Sequence, residues 1–278
     1  MGTFEVALAM AEHADVMVAS QELEPGHGWD WQALEILTSN SSVDAKTLGL
    51  AIANGYEQHA IDNETETEIT LSVIDLTRIG VVDQALKALE EPFVSESESL
   101  APKLGLAQST SLRIGKNPDP SLDAQMIDLG NLAEELGKIE PELLDLTNSL
   151  VTAIDDVVIG HVSGPATKAS TGLAVYFPEL GQYSDQGYFD LEGISSWQNI
   201  LTSYFQAQQN IPEEEQARFL TEQYPAEYTL DATEGLVITA QFDLAAQDNL
   251  TEAVIYYGPV SYTHLRAHET LRYLVCRL

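Results

Sequence analysis

The sequence predicts an α/β protein. Three short runs have strand character, Val16 to Ser20, Ile69 to Leu76 and Gly172 to Phe177, and long stretches with apolar residues at helical spacing separate them. The first run ends in a turn with two glycines and two tryptophans, Pro25-Gly26-His27-Gly28-Trp29-Asp30-Trp31. In open α/β sheets, ligands bind beyond the carboxyl ends of strands, so Ser20 to Trp31 is the first candidate site. A lone Gly-x-Gly is weak evidence, and a buried strand followed by an ordinary loop accounts for the same residues.

In chain order, a helix is expected from about Thr3 to His13, with Phe4, Leu8 and Ala11 on one face. Trp29 to Thr38 reads as a helix burying Trp31, Leu34 and Leu37, and Ser42 or Asp44 caps another that runs to about His59. His13 and His59 sit near helix C-termini, where a positive charge is favourable. The β-branched run from Ile69 ends at Asp75, expected to cap a helix over Val81 to Glu91. Pro92, the Ser95–Ser99 patch and Pro102 are expected to interrupt helical structure.

From Leu100 to Ser163 helix signals dominate. Arg113 to Asp123 reads as a loop, and Leu143, Leu146, Leu150, Ile154 and Val157 follow Pro141 as one amphipathic helix. His161 reads as a helix-end histidine rather than a general base, because no Cys or Ser in a suitable context stands near it in sequence. Beyond Gln209, short alternating segments at Tyr228–Leu230, Leu236–Phe242 and Ala253–Tyr257 suggest a small β unit. Asp243, Asp248 and Asn249 lack the ligand spacing of a calcium loop and read as turn residues.

Twelve basic residues against forty-four acidic ones give a net charge of −32. That balance argues against nucleic acid or an anionic membrane surface as partner. No stretch of about twenty apolar residues offers a membrane span, and the length suggests two units at about 100–200 residues each. The single Cys276 forms no internal disulfide.

Several separated motifs carry a resemblance. Met-Gly-Thr-x-Glu-Val-Ala at 1–7 and Val-Ala-Ser-Gln-Glu-x-Glu-Pro-Gly-x-Gly-Trp-Asp at 18–30 resemble the segment after the catalytic cysteine in the clostripain family of cysteine peptidases. Thr70 to Leu76, the Ile127-Asp128-Leu129 segment, Gly172 to Pro178, and the Trp197, Leu201, Tyr204 and Phe205 helix resemble later family segments in the expected order.

The resemblance implies a partial caspase-like three-layer α/β/α sandwich, followed by a mainly helical region and a small β unit. In the family, Asp-Ala-Cys-Leu-Met precedes the matching Gly-Thr, which puts the nucleophile two residues upstream of Met1 and its histidine on a still earlier strand. The expected reading is therefore a fragment without catalytic residues, inactive as it stands. Its parent would cleave peptide bonds after Arg or Lys, with a protein or peptide as substrate. Ser20, Gln21, Glu22, His27, Trp29 and Asp30 are the residues expected around the substrate pocket. Relatives often carry an acidic or polar residue between the two glycines, and His27 in that place departs from a simple basic preference. No cofactor is assigned from the residues; calcium accompanies some relatives, with no ligands assignable here. The alternative is a non-catalytic acidic binding or structural protein that reuses the fold.

The expected organisation is 1–91 as the C-terminal part of the peptidase domain, 92–209 as a helical region with strand 172–177, and 210–259 as a β-rich unit. Residues 260–278 resemble a tail that recurs on unrelated metagenomic chains as translated adapter DNA, which implies a non-native tail. His264, His268, Glu269 and Cys276 within it are discounted as metal ligands or a catalytic dyad.

Overall fold

The computed structural model describes residues 2–117, 123–178 and 186–212, Glu214, and six later strands. Residues 2–117 and 123–205 form one compact unit, and a second begins at Gln206.

The first unit is mixed α/β. Thr3 caps α1 (Phe4–Met10) by accepting from Val6 N at 3.3 Å, and β1 (Val16–Ala19) follows. Asp44 caps α3 (Ala45–Asp62) by accepting from Thr47 N at 2.7 Å, and that hydrogen bond holds its carboxyl below the usual carboxylate range. β2 (Thr70–Asp75) is buried at every position, as its β-branched composition requires of a strand covered on both faces. At its end Asp75 caps a 3₁₀ turn, accepting from Thr77 N at 3.2 Å, and pairs with Lys46.

β2 is the middle of a three-stranded sheet ordered β1-β2-β5, with β5 at Val158–Ser163. Both pairings are antiparallel, with Val18 opposite Val73 and Leu71 opposite Val162. β1 and β5 therefore point the same way, and their C-terminal ends meet the beginning of β2. α3 covers this sheet, packing Ala53, Tyr56 and Ala60 onto Leu71, Val73 and Val162. A second sheet is ordered β3-β4-β6, from Arg113–Ile114, Met126–Asp128 and Ala174–Tyr176, again antiparallel. Thr3 bridges to Ala174 in parallel sense.

Four helices, α4 (Gly80–Ser95), α5 (Ser97–Thr110), α6 (Leu129–Ile139) and α7 (Leu144–Val157), carry the rest of the apolar core with α8 (Ser195–Gln209). Leu89, Phe93, Leu104, Leu132, Leu150 and Trp197 meet around a void of about 10 Å³.

Several expectations need correction. Pro92 lies inside α4 and Pro102 inside α5. Burial of Leu89, Phe93, Leu100 and Leu104 outweighs the lost backbone bond of each proline, worth about 3 kcal/mol. Residues 92–209 are mainly helical, and carry four short strands, β3, β4, β5 and β6, where one was expected at 172–177. Residues 31–39 form a 3₁₀ turn (Trp31–Glu35) and a one-turn α2 (Ile36–Ser39) with no buried residue. Trp31 and Leu37 are exposed because Asp30 and Ala33 make the contact to α3, packing beside Gly55 and leaving the tryptophan on the outer side. His161 lies within β5, not at a helix end.

In the second unit β8 (Ala226–Asp231) pairs antiparallel with β9 (Gly235–Ala240). β7 (Arg218–Phe219) pairs with β10 (Leu244–Ala245), and β11 (Glu252–Ile255) with β12 (Leu274–Arg277). Asp243, Asp248, Asn249, His264, His268 and Glu269 lie outside the described residues.

Candidate functional site

The candidate site lies where β1 ends. Gly2 N donates to Ser20 O at 2.7 Å, and Gly2 O accepts from Ala174 N at 2.9 Å, so the chain entering α1 is clamped between the turn after β1 and the start of β6. A Cβ at Gly2 would lie 3.1 Å from Gln21 N and from the Ser20 carbonyl, a spacing that favours glycine.

Thr70, the first residue of β2, folds the chain back after β1. Its Oγ1 accepts from Gln21 N at 3.0 Å and Glu22 N at 2.9 Å, and lies 3.0 Å from Ser20 Oγ. Ser20 Oγ also donates to Glu22 O at 2.8 Å. Glu22 Oε1 accepts from Gly115 N at 2.9 Å, tying the turn to the loop that joins β3 and β4.

Gln21 reaches inward. Its Nε2 donates to Asp128 Oδ2 at 2.9 Å, and its Oε1 accepts from Ser170 Oγ. Asp128, fully buried at the end of β4, accepts three further bonds: Thr171 N at 2.7 Å on Oδ2, Thr171 Oγ1 at 2.7 Å and Asn131 N at 2.8 Å on Oδ1. The last is the N-cap of α6. One carboxylate thus joins the β1 turn, the 170–171 loop and a helix start.

His161 lies beside this cluster. Its Nδ1 is 3.1 Å from Ser72 Oγ, while its Nε2 is buried without a hydrogen-bond partner. Burial holds its pKa below the ordinary histidine value, against the opposing pull of Asp128 and the Ser170 backbone. Ser72 is fully buried, so this Ser–His pair is closed to a substrate and is no nucleophile.

The rest of the turn packs toward α3. His27 places Nδ1 2.8 Å from Gly28 O and Nε2 2.7 Å from Thr65 Oγ1, with its ring edge-on to His59 at 4.6 Å. Trp29 Nε1 donates to Glu24 Oε2 at 2.9 Å while its ring packs against the core under α3. Asp30 caps the 3₁₀ turn, accepting from Gln32 N at 2.9 Å. The six residues singled out from sequence therefore fall into two sets, Ser20 to Glu22 facing β4 and the 115 loop, and His27 to Asp30 facing α3.

A family model described as the clostripain family matches residues 1–265. The chain belongs to the clostripain family. No curated protein matches it. Among solved structures it is similar to an inactive zymogen C11 protease from Parabacteroides distasonis, with 17% identity and a TM-score of 0.54. That match covers 71% of this chain and 55% of the other, so the chain spans little more than half that relative's length. It is also similar to a clostripain from Bacteroides thetaiotaomicron in complex with a peptide inhibitor, with 15% identity and a TM-score of 0.50, covering 70% of this chain and 82% of that one. At such identities the likeness shows a shared caspase-like fold.

Within this clostripain-family chain, sequence reasoning did not connect Asp128 or His161 with the turn after β1. A signal for Asp128 was present: Ile-Asp-Leu occurs twice, at 74–76 and 127–129, each time ending a strand with an aspartate that caps the next helical turn. Asp128 spends both oxygens on protein donors, and among the described residues no group of three or more His, Cys, Asp or Glu gathers that could hold a metal ion. Among the described residues no helix is long and apolar enough to cross a membrane.

Proposed function

We propose that the chain is the part of a clostripain-like cysteine endopeptidase that follows the nucleophile. In this reading it forms one wall of the substrate pocket and is inactive alone, because the thiolate and its histidine lie upstream of Met1. The observation that carries the reading is the clamp on Gly2. The Gly-Thr that trails the family's cysteine by three residues is hydrogen-bonded to both the β1 turn and β6. A strand arriving at Gly2 would therefore deliver its end beside Ser20, Gln21 and Glu22. Glu22, His27, Trp29 and Asp30 continue that wall, and Gln21 with Asp128 keeps the turn in place.

Preference for Arg or Lys before the cut is supported by the charge of the wall. No Lys or Arg occurs before Lys46, while Glu22, Glu24, Asp30 and Glu35 line the turn. His27 between the glycines tempers that preference. Residues 260–278 are read as non-native, and a loss of thermal stability on deleting them would contradict this.

The test compares two proteins on an Arg- or Lys-containing peptide. The 278-residue chain should show no cleavage, and a chain extended upstream through Asp-Ala-Cys-Leu-Met and the histidine strand should cleave in an alkylation-sensitive manner. Alkylation-sensitive cleavage by the shorter chain, or an inert extended chain, would overturn the reading.

A further inference from the structure

His161 has one ring nitrogen engaged and one idle. Nδ1 lies 3.1 Å from Ser72 Oγ, and Nε2 is buried without a hydrogen-bond partner. Alternation along β5 sets this ring on the sheet face away from α3: the neighbouring Gly160 meets Leu50 of α3 and Val73, so residue 161 faces the other way, opposite Ser72. On that face the charge acting on the ring is Asp128 of β4, joined by the Ser170 backbone, while β2 presents the neutral Ser72. Asp155 and Asp156 at the end of α7 and Lys168 before the 170–171 loop are the nearest other charges in sequence, and none of them acts on the ring.

Asp128 and Ser170 are also the two residues that hold the Gln21 side chain. Asp128 accepts from its Nε2 at 2.9 Å, and Ser170 Oγ donates to its Oε1. A carboxylate offers about four acceptor positions, and four donors already fill those of Asp128. A further N–H from His161 therefore displaces one of them. Thr171 N and Asn131 N are fixed by the backbone, and Thr171 Oγ1 belongs to the same anchored residue. The Gln21 amide, at the longest of the four distances and on a flexible side chain, is the donor that yields. An imidazolium beside a carboxylate carries charge on both partners, whereas the amide it replaces is neutral.

We propose that proton uptake by His161 draws Asp128 and Ser170 away from Gln21 and frees the turn Ser20–Glu22, so that the end of β1 is held at neutral pH and released in mild acid. With the turn held, the buried ring resists the proton; with the turn released, it takes the proton near the ordinary histidine value of about 6.5, and release grows as pH falls below that value. The turn's role as a substrate wall rests on the peptidase reading above, whereas the coupling stands without it.

Hydrogen–deuterium exchange of the 278-residue chain at about pH 7.5 and about pH 5.5, with labelling times scaled to the intrinsic rate, tests the coupling. The Gln21 and Glu22 amides, which donate to Thr70 Oγ1 at 3.0 and 2.9 Å, should lose up to about tenfold more protection in acid than α3 does, the limit for one pH unit below the ordinary histidine value. His161→Gln cannot take the proton and should protect the turn equally at both pH values. Gln21→Ala should lower protection of the same amides already at neutral pH and leave them insensitive to acid, and it carries the test if His161→Gln does not fold. An equal acid response in His161→Gln and the parent chain, an acid response retained in Gln21→Ala, or a loss shared evenly with α3 overturns the proposal. Failure here leaves cleavage by the upstream-extended chain as a separate question, and an inert extended chain leaves the exchange result standing.

Discussion

Replacing Asp128 tests whether one buried carboxylate holds the turn after β1, the 170–171 loop and the start of α6 together. Its two oxygens accept four bonds, at 2.7 to 2.9 Å, from Gln21, Thr171 N, Thr171 Oγ1 and Asn131 N. Alanine removes every acceptor at once. The lost N-cap costs about 1 kcal/mol, and each buried donor left without a partner costs about 1–3 kcal/mol. These terms are not independent, and partial entry of water lowers the sum, so about 4 kcal/mol is expected. Asparagine keeps one oxygen for Asn131 N and Thr171 Oγ1, but turns an N–H₂ toward Gln21 and Thr171 N. A flip of the Gln21 amide repairs the first of these clashes, since Ser170 Oγ can donate or accept. Thr171 N alone stays unpaired, and the expected cost falls to about 2 kcal/mol. Urea denaturation followed by circular dichroism at neutral pH measures both variants. A loss under about 1 kcal/mol for Asp128→Ala, or equal losses for the two variants, would refute the account of Asp128 as a shared acceptor.

Other outcomes follow from the same geometry. His161 is neutral in the native state and its pKa is lowered, so the unfolded chain takes up the proton first; stability is complete above about pH 6.5 and declines as pH falls below it. His161→Leu should flatten that acid limb, and urea midpoints for both proteins at neutral and mildly acidic pH would expose an unchanged slope. The Tyr56 hydroxyl is buried without a partner and its pKa is pushed up to about 12, by burial first and by Glu24 second. Tyr56→Phe should therefore be neutral or stabilise by about 0.5–1 kcal/mol, and a clear drop in melting temperature would reveal a hydrogen bond at that oxygen. An alanine Cβ at Gly164 would overlap the backbone oxygens of Glu66 and Thr67, so Gly164→Ala should cost about 3 kcal/mol or more, with soluble yield and melting temperature as the readout.

Much of the fold was legible because its causes are local. Asp44 announces a helix start through a side chain that reaches a backbone N–H three residues on, whereas Asp75 caps the 3₁₀ turn ahead of α4 and not α4 itself. The β-branched run over β2 announces a strand because its residues suit a covered, pleated surface. His161 was misread for an equally physical reason: α7 ends at Val157 and β5 begins at Val158, with no glycine or proline between them to mark the change. Pro92 and Pro102 misled in the opposite direction. They signal breaks from backbone chemistry alone, whereas α4 and α5 are held by the apolar faces they bury. Trp31 looked like core because it is large and apolar, but Asp30 and Ala33 already occupy the space against α3.

The sequence alone determined the charge, the caps, the central strand and the ordered motifs of a clostripain-family chain. Those properties depend on residue type and short spacing, and they survive without knowledge of what packs where. Tertiary structure decided that Gln21 meets Asp128, 107 residues away, that Gly2 is clamped between β1's turn and β6, and that one tryptophan faces outward while its neighbour packs inward. A buried polar group takes whichever partner the packed elements bring within about 3 Å. That choice is made by competition among helices and strands for the same apolar surface, and no local window of residues contains it.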